Sequence, residues 1–448
     1  MAFRAYLRDL MINRELKRVR TLVDSDLEIA ALCRREFMAD DSGSALLFEA
    51  VKGTTVQVAA NLFGTRARLL QMLVDNEQEL LEKIRALIHS GTQTAAVNLT
   101  NACNKTAESF AVPEYQQREL GLKDLPALRS WPDEKDPYLT LALTHTASPV
   151  DGSCNLGLYR AAIVDDQAIA LNFATGSGAA YHLQQAEERA EALPVALIIG
   201  PDPALFWAAA APLPSGCSEY AFAAAISDRP VALAPCSTQP LSVPATAEII
   251  IEGEIRPAER ISEGPFGNHS GQYVKRDDCP LMKVTAVRHR QQPIMPVTVV
   301  GPPPSENIQL AKLNELLLRE MLCYDFPLVA DIAMPGMTIF HGVAIIAVRA
   351  CAAAEVAELI RQLTTKTMLN RARLLVLMDD DINIHDFNMT WWRAVNLLSS
   401  ERITTVGTGL IINATGINRD RLVAEDRATT SLLDHRHYEI TRTNSGCL

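Results

Sequence analysis

Asp151-Gly152-Ser153-Cys154-Asn155-Leu156-Gly157-Leu158-Tyr159-Arg160 is a glycine-containing turn that runs into a short strand and ends on an arginine. It lies in a region, 137–305, that reads mainly as strands with short turns, with examples at 138–144, 194–200, 247–251 and 295–300. A helical insert at 180–193 interrupts them, with Glu187, Glu188 and Arg189 on its wet face. Short strands with few long helices predict a barrel-like β domain.

From about 306 the pattern changes. Helix 307–322, strand 342–348, helix 354–364, strand 373–378 and helix 390–399 alternate as in an α/β layer. Toward the N-terminus, 1–110 mixes helical and strand patterns. Leu80, Ile84, Leu87 and Ile88 form the apolar stripe of a helix, and Asn61-Leu62-Phe63-Gly64-Thr65-Arg66 is a turn expected to start it. Residues 111–136 are rich in Pro, Asp, Glu and Lys and read as a linker. Pro126 and Pro132 bar a regular helix from 125–132. The expected division is an N-terminal α/β domain at 1–115, a β-barrel domain at 116–305, a C-terminal α/β domain at 306–424 and a structureless tail at 425–448. The fold class is multidomain α/β (α+β).

The chain has 448 residues, 48% of them hydrophobic and 21% charged, which excludes a disordered chain and allows a sizeable core. Its net charge of −11 argues against nucleic acid or an anionic membrane as the main partner. No apolar run is long enough to span a membrane, and the charged start lacks a signal core, so a cytoplasmic location is expected. Nine scattered cysteines without a CxxC pair read as reduced structural thiols. There is no G-x-G-x-x-G, Walker A or G-x-S-x-G motif.

Polar residues gather in three places. In the opening stretch, Asn155 offers an amide oxygen and Arg160 a fixed cationic fork, although an ordinary hairpin with a surface arginine fits equally. In Ala211-Pro212-Leu213-Pro214-Ser215-Gly216-Cys217-Ser218-Glu219-Tyr220, Glu219 is either a helix-capping residue or a hard oxygen ligand for a cation. Glu263-Gly264-Pro265-Phe266-Gly267-Asn268-His269-Ser270-Gly271 has three glycines and a proline in nine residues and reads as a backbone-specified loop. Glu263 there is a solvated turn residue or a general acid/base, with His269 nearby. Asp379, Asp380 and Asp381 read as a solvated strand end, His341 as structural, and His435 and His437 as exposed.

These three segments, in this order, resemble the UbiD family of prenylated-FMN-dependent decarboxylases. Asn61 to Thr65, Leu125 to Pro132, Pro137 to Thr140, Gly200-x-Asp202-Pro203-Ala204, Val243 to Glu248, Glu252-Gly253 and Val300 to Pro304 extend the likeness over roughly residues 45–400. The resemblance implies a central split β-barrel that holds the flavin, flanked by N-terminal and C-terminal α/β domains, the latter for oligomerisation. It implies reversible decarboxylation of an aromatic, heteroaromatic or α,β-unsaturated acid, with a small carboxylic acid and CO₂ as reaction partners. It also implies a flavin prenyltransferase as cofactor supplier and a homodimer or homohexamer.

By position, the resemblance makes Arg160, Glu263 and Asn268 the catalytic residues. Asn155 and Glu219 become ligands of Mn²⁺ or Mg²⁺ at the cofactor phosphate, and backbone oxygens near Ala211 with Glu219 form a K⁺ site. Leu158, Tyr159, Arg160, Ala211, Pro212 and Arg373 join Asn155 and Glu219 along the cofactor.

Three departures stand out. The histidine expected about 17 residues after the arginine is missing from Ala174-Thr175-Gly176-Ser177-Gly178, and His182 comes late, within the helical insert. Asn268, an amide able to hydrogen bond Arg160, stands where the family has an acid. Trp391-Trp392-Arg393-Ala394-Val395-Asn396 lacks the usual Trp-Ala-x-x-x-Arg pattern. The departures keep a second reading open, a non-catalytic paralogue or assembly subunit with an altered metal and flavin site.

Overall fold

The computed structural model describes residues 2–39, 43–105, 109–111, 120–338, 342–407 and 409–416. The expected tail at 425–448, with His435 and His437, and also His341, lie outside them.

The centre is an eight-stranded antiparallel sheet. Its spatial order is Tyr138–Leu139, Ala161–Asp165, Ala168–Leu171, Tyr273–His289, Ile249–Gly267, Leu193–Ile199, Leu143–Ala147 and Cys154–Leu158. The two end strands do not pair with each other among the described residues, so the sheet curls as an open half-barrel. Its register puts Leu197 opposite Ile251, Ile198 opposite Ile250 and Ile199 opposite Ile249, all buried. This continuous apolar run needs cover on both faces. Helix Gly178–Glu188 gives one cover, burying Ala179, Leu183 and Ala186. The expected fold class, multidomain α/β around a split barrel, is what the structure has.

The flanking layers are tied in by the chain's path. Strand Ile294–Val297 leaves the barrel and joins the N-terminal sheet beside Gln57–Ala60, in parallel. Helix Asn307–Asp325 then serves two cores. Leu310, Leu313 and Leu317 pack with N-terminal and barrel side chains, and Leu318 and Leu322 pack under the five-stranded C-terminal sheet. That sheet runs Val329–Ala333, Val343–Val348, Leu374–Asp379, Gly409–Ala414, Ile403–Val406.

The structure corrects four sequence expectations. Asn61–Arg66 does not start the 80–88 helix: Thr65 caps a separate helix, Arg66–Leu73, and Asn76 caps Glu77–Ile88. The segment 390–399 is helical earlier, over Phe387–Asn396, because Asp386 caps it. Asp379 is buried and accepts a hydrogen bond from the Gly416 amide at 3.0 Å, so it is not a solvated strand end.

The fourth correction concerns the site. Most of the expected 263–271 loop belongs to strand Ile249–Gly267, and only Asn268 to Gly271 turn the chain back. The strand is irregular at this point, with its pairing register shifting between Glu263 and Phe266. Gly264 explains the shift. It has φ +99°, and a Cβ there would come within 2.5 Å of the Val274 carbonyl oxygen. The proline-rich linker fastens the far side. Trp131 lies against Gly267 and Gly301 and donates its indole N–H to the Val300 carbonyl at 2.8 Å. Buried Glu134 accepts from the amides of Ser130 at 2.6 Å and Gly267 at 3.0 Å.

Replacing Gly264 with alanine forces a side chain into the Val274 backbone in a conformation that disfavours it. The expected loss of stability is about 1–3 kcal/mol, read from urea unfolding. An unchanged midpoint would show that the bulge does not depend on glycine.

Candidate functional site

A cavity of about 1810 Å³ opens between the half-barrel, the helix Asn307–Asp325 and the segment 367–371. Its chemistry concentrates in two clusters.

The first cluster surrounds Glu263, which is fully buried. Arg160, at the end of strand Cys154–Leu158, grips it with both arms: Nε donates to Oε1 at 2.8 Å and Nη2 to Oε2 at 2.5 Å. The Tyr138 hydroxyl donates to Oε1 at 2.8 Å and the Asn172 amide to Oε2 at 2.9 Å. Burial, with Glu263 next, pushes the Tyr138 hydroxyl pKa well above its usual value, so the proton stays on tyrosine. Burial likewise pushes the neighbouring Cys279 thiol up to about 12 and keeps it protonated. Arg160 also lies over the Phe266 ring, 4.9 Å from its centroid. Arg160, Asn172 and Phe266 line the cavity, whereas Glu263 sits behind them. The carboxylate is therefore screened from the cavity by these side chains.

The second cluster is at the other end of the same strand. Ser218 caps helix Glu219–Ser227, which leaves the Glu219 side chain free to turn inward. Its Oε2 accepts from the Leu156 amide at 3.2 Å, and burial pushes its carboxyl up to about 7. The Asn155 Nδ2 is buried without a hydrogen-bond partner among the described residues. Its Oδ1 occupies space that Gly178 leaves open, 2.1 Å from where a Cβ would stand. His182 is in the cavity wall, but its ring is engaged by the Thr146 hydroxyl at 2.9 Å. No group of three His, Cys, Asp or Glu able to hold a metal is found among the described residues.

The remaining expected residues divide. Leu158, Tyr159, Ala211 and Pro212 line the cavity with Asn155 and Glu219. Asn268 lines it too, but its Oδ1 accepts from the Ser270 amide at 2.9 Å and hydroxyl at 2.6 Å. It caps its own turn, and the expected bond to Arg160 is absent among the described contacts. Arg373 does not line the cavity. Arg371 does, with its Nη2 3.4 Å from where a Cβ on Gly176 would stand. His269 reaches the cavity with its pKa lowered, chiefly by burial and then by Arg373 and Arg160.

Sequence reasoning missed Asn172, Arg276, Arg371 and the hydroxyl of Tyr138. Only Tyr138 had a signal, a tyrosine directly after the proline that ends the linker.

Three family models match the chain in order: the 3-octaprenyl-4-hydroxybenzoate carboxy-lyase N-terminal domain at 7–88, its Rift-related domain at 103–303 and its C-terminal domain at 309–414. The chain belongs to the UbiD family of carboxy-lyases. An uncharacterized protein of Archaeoglobus fulgidus is 32% identical, over 89% of this chain and 84% of the relative. One from Aquifex aeolicus is 30% identical, over 91% and 86%. Among solved structures, an evolved dimeric form of the UbiD-class enzyme HmfF from Pelotomaculum thermopropionicum, in complex with prFMN, is 26% identical. It superposes with a TM-score of 0.78 over 97% of this chain and 100% of its own. The closed form of vanillic acid decarboxylase from Sedimentibacter hydroxybenzoicus has a TM-score of 0.82 at 23% identity, covering 97% of each chain, and shares the fold.

Tyr138→Phe removes one donor from a buried carboxylate. It should cost about 1.5–3 kcal/mol in urea unfolding. A change below a few tenths would mean that the hydroxyl does not serve Glu263.

Proposed function

We propose that the protein decarboxylates, reversibly, an aromatic, heteroaromatic or α,β-unsaturated carboxylic acid with the help of prenylated FMN. The observation that carries this reading is the two-armed Arg160–Glu263 pair at the wall of a large cavity. Ligand pockets commonly enclose about 300–1,000 Å³, so this one has room for a tricyclic flavin and a small acid together. When bound, the prenylated flavin supplies the electron sink that no side chain offers.

The chain's own residues supply orientation and a proton. A substrate carboxylate competes with Glu263 for the Arg160 guanidinium, whose fork suits either partner. As Arg160 turns to the substrate, the path from the cavity to Glu263 opens. The bond to the carboxylate carbon breaks and CO₂ leaves; Glu263, once uncovered, takes a proton from water in the cavity and passes it to that carbon, forming the new C–H bond and returning to a carboxylate. Phe266 lies under the guanidinium, its ring centroid 4.9 Å away, and covers one face of it.

At the phosphate end, Asn155 and Glu219 fit a divalent cation as two of its ligands. Asn155 offers an amide oxygen and Glu219 a half-buried carboxyl with no cationic side chain beside it among the described residues, while the unpartnered Asn155 Nδ2 can donate to a phosphate oxygen. Phosphate oxygens and water would complete an oxygen shell of the kind Mn²⁺ or Mg²⁺ takes. The same Glu219 with backbone oxygen at Ala211 suits K⁺. A flavin prenyltransferase would supply the cofactor. The intact ion pair favours this reading over a non-catalytic paralogue.

We also read the chain as a homo-oligomer through its C-terminal layer. Helix Phe387–Asn396 exposes Trp392 by 53% and Val395 by 63%, and Leu398 beyond it by 47%, an apolar row that a second copy would cover.

Glu263→Gln should abolish CO₂ release, assayed over a panel of such acids, and leave flavin binding within about threefold. A glutamine enzyme as active as the parent would remove Glu263 from the chemistry. Trp392→Asp with Val395→Asp should shift the oligomer to monomer in light scattering. An unchanged mass would place the interface elsewhere.

A further inference from the structure

Asn172 and Arg276 surround the catalytic pair without belonging to any motif. Asn172 follows strand Ala168–Leu171, and its backbone amide donates to the Arg160 carbonyl at 3.1 Å. Its side chain donates from Nδ2 to Glu263 Oε2 at 2.9 Å. Arg276 is the cross-strand partner of Glu263 and donates from Nη1 to Asn172 Oδ1 at 3.3 Å. The same guanidinium is fixed by the Phe173 carbonyl, at 2.5 Å, and by Asp278, at 2.8 Å.

Chemistry gives this chain of contacts a direction. A guanidinium only donates, so Arg276 holds the amide oxygen of Asn172 toward itself. The amide nitrogen must then face Glu263, where it too can only donate. Flipping the amide would set two donors against each other on one side and two acceptors on the other. Asn268 performs no such service, since it is committed to its own turn.

We propose that Asn172, held by Arg276, is the positioning residue that keeps Glu263 aimed while Arg160 changes partners. The inference rests on the reading of Glu263 as the proton donor. When Arg160 turns to a substrate carboxylate, Glu263 loses two of its hydrogen bonds. The donors that remain are Tyr138 on Oε1 and Asn172 on Oε2, one on each oxygen, with the Cys279 thiol at 3.8 Å. Two donors on opposite oxygens fix the plane of the carboxyl group. Without Asn172, Oε2 keeps only the long, weak thiol contact, and the carboxyl group can turn about its last bond.

Two variants test this, with kcat, KM, flavin affinity and pH profile measured on the flavin-loaded protein. Asn172→Leu keeps the branched outline at slightly greater bulk and removes both the donor to Glu263 and the acceptor of Arg276. It should lower kcat by at least about tenfold, with KM and flavin affinity within about threefold. Asn172→Asp fills the same space and keeps an oxygen for Arg276, so a packing role would survive it. A donor role would not, because an ionised Asp presents an acceptor to Glu263. Activity of this variant relative to the parent should climb as pH falls, since a protonated Asp can donate again. The groups that set this balance are Glu263, Arg160, Tyr138, Cys279 and Arg276. Parent-like kcat in Asn172→Leu, or a parent-like pH profile in Asn172→Asp, overturns the proposal. Failure of the underlying reading is separate: it would appear as an active Glu263→Gln enzyme.

Discussion

The site depends on one ion pair. Arg160 and Glu263 lie 103 positions apart in sequence and meet where the chain leaving the end strand Cys154–Leu158 reaches the central strand Ile249–Gly267. Charges withdrawn from water are tolerated only when paired and hydrogen bonded, and removing one partner of a buried pair costs about 3–5 kcal/mol. The structure meets that condition with four short donor contacts on one carboxylate. It keeps the pair poised rather than sealed. Glu263 is inaccessible, yet 21% of the Arg160 side chain is exposed, so the member that can move is the one a substrate would meet.

Everything behind the pair serves to hold it in place. Gly264 lets the strand bulge so that Glu263 points inward and Phe266 turns under the guanidinium. Trp131 and Glu134, from the linker, brace the next residues of that strand. At the other end of the Cys154–Leu158 strand, Asn155 fills the gap beside Gly178 and lies near the inward-facing Glu219 region through the Leu156 amide. A single five-residue strand thus sets the distance between the two clusters.

Much of this was legible in the sequence because local pattern reports burial and turns. The strands at 194–200 and 247–251 were visible as apolar runs, and the helices at 307–322 and 354–364 as periodic ones. Arg160, Glu263, Asn155 and Glu219 were visible as polar residues in glycine-rich or proline-rich settings. Two kinds of feature were not. A strand that runs through Gly264-Pro265 contradicts local propensity and is held by its neighbour Tyr273–His289. The contact of Asn172 with Glu263 was hidden because nothing in the sequence around Asn172 marks it. Asn268 was misleading for the converse reason: it sits beside the site in sequence, but its short-range bonds to Ser270 win over a bond to Arg160. Arg371 and Arg373 differ by two positions, and only the packing of the 367–371 segment decides which faces the cavity.

The central claim is that Arg160 exchanges Glu263 for the substrate's carboxylate. The most direct measurement is a crystal structure of the flavin-loaded protein with an unreactive carboxylic acid in the cavity. The account predicts the Arg160 guanidinium on the ligand's carboxylate, with Glu263 facing the cavity and still held by Tyr138 and Asn172. A ligand carboxylate bound elsewhere, with Arg160 still closed on Glu263, would contradict it.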